Sequence, residues 1–118
     1  CLACLLRLNN HEVYENTFID LCTNTDDLTF IFEVKSNNTR NTLSQIRKAI
    51  AQLYEYRYRS GAENAILCIV LQQRPAQAWV EDYLLHDTNI LMCWLVDDVR
   101  LECPTECRYL LSSIGIVE

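Results

Sequence analysis

Two unbroken apolar runs set the architecture. Residues 65–71 read Ala-Ile-Leu-Cys-Ile-Val-Leu, and residues 90–96 read Ile-Leu-Met-Cys-Trp-Leu-Val. Both fall far short of the roughly 18 apolar residues that span a bilayer. Runs of this length, bounded by turn residues, fit strands buried on both faces, as in a parallel or mixed sheet. Parallel neighbours need a crossover, usually a helix. Residues 76–86 supply one, with Trp79, Val80, Tyr83 and Leu84 expected inward. The chain is therefore expected to be an α/β domain.

A third apolar run, residues 28–34, leads into Ile31-Phe32-Glu33-Val34-Lys35-Ser36. Strand side chains alternate faces, so Glu33 and Lys35 should project from one side. Phe32 and Val34 should project from the other, where a core would bury them. A carboxylate and an ammonium side by side at a strand end can hold a metal and a phosphate together. A surface ion pair on a strand edge has the same spacing, so Glu-x-Lys alone is weak.

With 118 residues the chain is long enough for one real core and too short for two. Half the residues are hydrophobic and only two Gly and two Pro occur, which is a globular composition. No linker, repeat or low-complexity tract interrupts residues 1–118, so a single domain is expected. The start, Cys1 to Arg7, lacks a secretory signal pattern. Because the first residue is not Met, the chain is read as a piece of a longer protein or a processed one. No membrane anchor is expected, and the location is read as cytoplasmic.

The net charge of −6 argues against nonspecific nucleic-acid binding by the whole surface. Its distribution does not. Residues 35–59 carry six basic side chains (Lys35, Arg40, Arg47, Lys48, Arg57, Arg59) against Glu55, a local +5 in a remainder of −11. Such a segment fits a phosphate footprint, and equally a solvated helix face.

In chain order, residues 2–8 read as the end of a helix, broken at Asn9-Asn10. Residues 11–14 and 18–22 read as two short strands. The second sets Asp20 inside an apolar run, where a carboxylate is costly unless paired. After the strand ending at Lys35 comes a polar loop. Thr39 or Asn41 then caps a helix that runs to about Arg59 and stops before Ser60-Gly61. Its periodicity places Leu43, Ile46, Ile50, Leu53 and Tyr54 on one face. Gln45, Lys48, Gln52, Tyr56 and Arg59 fall on the opposite one. Gln52 and Tyr56, four apart, are neighbours on the helix surface. Residues 99–102 suggest an edge strand and 109–114 a terminal helical turn.

This order, with Asp20, Glu33-Val34-Lys35 and then Gln52-Leu53-Tyr54-Glu55-Tyr56, resembles the PD-(D/E)xK nuclease superfamily. The last run is similar to the Gln-x-x-x-Tyr motif of its RecB-like members. The likeness covers roughly residues 4–95. It implies a restriction-endonuclease-like αβββαβ core, a central mixed sheet flanked by helices. It also implies a metal-dependent nuclease that hydrolyses DNA in restriction, defence or repair. Ile19 stands where the family motif has Pro.

The chemistry agrees with the residues. Hard carboxylate oxygens suit Mg²⁺, with Mn²⁺ as a substitute, and Mg²⁺ takes one or two protein carboxylates. Asp20 and Glu33 would be those ligands, with the Val34 carbonyl as a third. Lys35 would orient the attacking water and offset phosphate charge. Gln52 and Tyr56 would position Lys35 or a backbone phosphate. Lys48 and Arg59 would hold the nucleic-acid backbone. Specificity would come from an attached domain, a partner or a homodimer. A different class of reading is a nuclease-like fold that no longer cuts and serves binding or assembly.

Seven cysteines, an odd number scattered through apolar segments, read as reduced thiols. Cys1, Cys4, Cys103 and Cys107 could in principle supply four thiolates to zinc, but their spacing is loose and structural zinc is not expected. His11 and His86 stand alone, with no recognisable nucleophile partner, and no Gly-rich phosphate loop exists.

Overall fold

The computed structural model describes residues 12–14, 21–24, 28–97 and 100–117. Among the described residues, six strands form one sheet in chain order: β1 (Glu12–Tyr14), β2 (Leu21–Asn24), β3 (Thr29–Lys35), β4 (Ile66–Leu71), β5 (Leu91–Leu95) and β6 (Leu101–Glu102). β1, β2 and β3 form an antiparallel meander. β3, β4 and β5 run parallel, and β6 closes the far edge antiparallel to β5. The sheet is thus mixed. Helix α1 (Thr42–Ser60) makes the crossover from β3 to β4. Helix α2 (Trp79–Asp82), continued by a π-helical segment (Tyr83–Thr88), makes the crossover from β4 to β5. Helix α3 (Thr105–Ser113) follows β6.

Alternation along the strands builds two cores. Ile31, Leu67, Ile69, Leu71, Met92 and Trp94 face Ile46, Ala49 and Leu53 of α1 and Val80 and Leu84 of the α2 segment. Phe30, Phe32, Cys68, Val70, Leu91 and Cys93 face Cys107 and Leu111 of α3 and the chain end through Val117. β4 and β5 are therefore apolar on both sides along most of their length, as their unbroken runs require, and β3 is so only as far as Phe32.

Some details differ from the sequence reading. The buried residues of α1 are Thr42, Ile46, Ala49 and Leu53. The contact stripe is rotated, so Leu43 and Ile50 are only partly buried and Tyr54 is exposed. Small Ala49 lets the helix settle close to the sheet. Gln52 and Tyr56 consequently flank the buried stripe instead of opposing it. Val34 is 47% exposed, because the α3-side core ends at Phe32. On α2 the pair Val80 and Leu84 occupies the buried stripe. Trp79 and Tyr83 are left half in solvent, at 54% and 40%. The terminal helix is longer than a single turn, and the expected helix over residues 2–8 lies outside the described residues.

One buried side chain locks the carboxyl ends of β3 and β4 together. Asn37 Nδ2 donates to Thr42 Oγ1 (3.0 Å) and to the Gln73 carbonyl (3.1 Å). Its Oδ1 accepts from the backbone N–H groups of Gln72 (2.9 Å) and Gln73 (3.0 Å). Gln73 Nε2 returns a bond to the Asn37 carbonyl (2.9 Å). Removing this side chain strands two backbone donors in a poorly hydrated place, and each such loss costs about 1–3 kcal/mol. Asn37→Ala is expected to destabilise the fold by about 3 kcal/mol. In urea titration the midpoint should fall with the slope unchanged, and exposed Asn38→Ala should cost distinctly less.

Candidate metal and phosphate site

β3 carries its charges toward α1. Glu33 and Lys35 have the same parity as Ile31, which packs under that helix. Glu33 is 2% exposed, and its Oε1 lies 3.1 Å from Lys35 Nζ, whose side chain is 17% exposed. The pair expected side by side on one face is present, but it is buried, not a surface pair. Its exposure is graded: the carboxylate is inside and the ammonium at the margin. The strand end is fixed from two directions. Gln45 Nε2 of α1 donates to the Ser36 carbonyl (2.7 Å), and Asn37 binds the chain after β4.

α1 carries the other polar groups of the expected set. Gln52 is half-buried, and its Oε1 is out of solvent with no hydrogen-bond partner. An amide oxygen left this way costs free energy unless a cation, a ligand or water meets it. Tyr56 is half-buried against the α1-side core. Lys48 is exposed, with no ion pair or hydrogen bond among the described residues. Arg59 is placed differently. It sits in the last turn of α1, paired with Glu55 at 3.1 Å. At ~1.5 Å per residue that is roughly 25 Å along the helix from its first turn. The first turn is the end near Lys35, so Arg59 is not brought to the pair.

Asp20 lies outside the described residues. Glu33 is therefore the one carboxylate of the expected ligand set whose position is described. Its hard, buried oxygens suit a Mg²⁺ ligand, and Lys35 suits an adjoining phosphate. Among the described residues no group of three or more His, Cys, Asp or Glu side chains could hold a metal by itself.

Sequence reasoning missed Asn37, Gln45 and Thr42, the groups that fix the end of β3. Asn37 looked like one of two loop asparagines, and only the fold shows that it is buried. It also missed Arg74, which is bidentate to Glu81 (2.7 and 3.2 Å) and stacked 4.7 Å from the Trp94 ring at the same edge of the sheet.

Cys1 and Cys4 lie outside the described residues, and Cys103 and Cys107 sit in the α3-side core with Cys68 and Cys93. All four described thiols are free and buried. Burial pushes the Cys107 thiol up to about 11 and raises Cys103 and Cys68 as well. No protein-family model, no curated protein and no solved structure matches the chain.

Two outcomes are expected. Lys35→Ala leaves a buried carboxylate without its ammonium and should cost about 3 kcal/mol in denaturant titration; the double variant Glu33→Gln with Lys35→Met should cost clearly less. The unfolded chain loses the Cys107 proton more readily than the folded one. The stability from the buried neutral thiol is therefore complete below about pH 9 and declines as pH rises toward about 11. Cys107→Ala should flatten that alkaline decline, read as the difference between the two stability–pH curves.

Proposed function

We propose that this chain is a Mg²⁺-dependent deoxyribonuclease domain of the PD-(D/E)xK type, hydrolysing DNA phosphodiester bonds in restriction, defence or repair. The observation that carries this reading is the buried Glu33 beside Lys35 on β3, under a helix whose Gln52 holds an unmet buried oxygen. The topology supports it. A three-strand meander, a crossover helix and a parallel fourth strand follow one another as the αβββαβ core requires.

In this reading Glu33, Asp20 and the Val34 carbonyl would be the cation's protein ligands. When bound, the cation supplies charge relief on the scissile phosphate and a more acidic water. Lys35, at the margin of the pair, meets the phosphate from the solvent side and holds the attacking water's oxygen in line. Gln52 would position Lys35 or a backbone phosphate, with Tyr56 one turn further along α1 in the same role. The exposed cation Lys48 steadies the backbone of the strand.

The test is cleavage of supercoiled, linear and single-stranded DNA with Mg²⁺ or Mn²⁺ against an EDTA control. Glu33→Gln keeps shape and removes the charge. It should lower cleavage by at least about 10²-fold while the melting curve stays cooperative. Binding without metal-dependent cleavage by the parent would favour the non-cutting assembly module. Unchanged cleavage by Glu33→Gln would remove Glu33 from the site.

A further inference from the structure

The strand-facing side of α1 does not account for its other flank. A groove of about 160 Å³ runs between α1 and α2. Leu43, Ile50 and Val80 form its walls, and Arg47, Trp79 and Tyr83 stand at its rim. Single exposed apolar side chains are ordinary, but two adjoining aromatics on a groove are not. The Trp79 and Tyr83 rings lie 6.1 Å apart at 60°, with more than half of Trp79 in solvent. The groove is smaller than the ~300–1,000 Å³ typical of small-molecule pockets.

The charges around it are unequal. Of the carboxylates on the α2 segment, Glu81 is paired with Arg74, and Asp82 shares a hydrogen bond with His86 at 2.6 Å. Asp87 is the third. On the α1 side Arg47 lines the groove and is exposed, with no side-chain ion pair or hydrogen bond among the described residues. An unspent cation beside a stacking platform is complementary to a nucleic-acid strand with an unpaired base. Both helices begin at the carboxyl ends of parallel strands, so the groove lies toward the same edge of the sheet as Lys35.

The geometry points to a single-strand DNA subsite in this groove: an unpaired base stacks on Trp79 beside Tyr83, and Arg47 holds an adjacent phosphate. This deepens the nuclease reading by naming a substrate with a single-stranded portion, and it rests on that reading for the chemistry alone. Closed duplex would bind through the cations without using the ring.

The experiment is fluorescence anisotropy of end-labelled DNA with the full chain in EDTA, with the parent's own tryptophan emission as a second readout. An oligothymidylate of about ten nucleotides is compared with a duplex closed by hairpins at both ends. The oligothymidylate should quench the parent's emission. Trp79→Ala should weaken its binding about 5- to 100-fold and leave duplex binding unchanged. Trp79→Phe should retain most of the affinity, which separates stacking from folding. Arg47→Ala should reduce the salt slope by about one. Equal oligothymidylate binding by parent and Trp79→Ala would overturn the subsite. So would a parent that dimerises through Trp79 without binding the strand, which would assign the groove to a second copy. If Trp79 acts as described and no metal-dependent cleavage occurs, the nuclease reading falls and the subsite stands. If cleavage is lost in Glu33→Gln but Trp79→Ala binds normally, the reverse holds.

Discussion

A carboxylate taken out of water must find a counter-charge or give up its own. Glu33, 2% exposed, finds Lys35 two residues on, across 3.1 Å. A buried pair of this kind is weak evidence for stability, since two apolar side chains of similar volume would hold the fold as well or better. Its presence in a strand that contributes to both cores is what the proposed reading accounts for. In that reading the grading matters: the carboxylate is enclosed, as a cation ligand would be, and the ammonium stands at the margin, as a phosphate partner would.

The pair is useful only if the strand end is rigid. β3 is paired on both sides, with Phe30 and Phe32 buried in one core and Ile31 in the other. Beyond Lys35 the order continues through Asn37, whose amide satisfies the chain leaving β4 and the first turn of α1 at once. Gln45 adds a bond to Ser36. Groups held by the scaffold in this way lose little freedom on meeting a ligand. Gln52 is the exception, because its buried oxygen is unmet. That oxygen is a local cost that a bound cation or water would relieve.

Much of this was legible in the sequence, for physical reasons. The unbroken runs at 65–71 and 90–96 had to be doubly buried strands, and β4 and β5 are. Alternation placed Glu33 with Lys35, and Gly61, at φ 73°, ends α1 as its neighbours suggested. What escaped depended on distances between elements. Periodicity weighs Ala49 lightly, yet its small side chain is where α1 meets the sheet, and that rotates Tyr54 outward and Tyr56 inward. Trp79 and Tyr83 look like core in a helical projection; Val80 and Leu84 fill that space instead. Arg59 lies in the last turn of α1, away from the Lys35 end, a distance that periodicity alone does not report. Asn37 had no sequence signal at all, since nothing local distinguishes a buried asparagine from an exposed one.

The central claim is that Glu33 is a ligand of a divalent cation beside Lys35. Anomalous diffraction from crystals soaked in Mn²⁺ tests it most directly. The expected result is a single strong peak within about 2.2 Å of a Glu33 carboxylate oxygen, absent from Glu33→Gln crystals. A well-ordered Glu33–Lys35 pair with no manganese on it, at saturating metal, would contradict the claim.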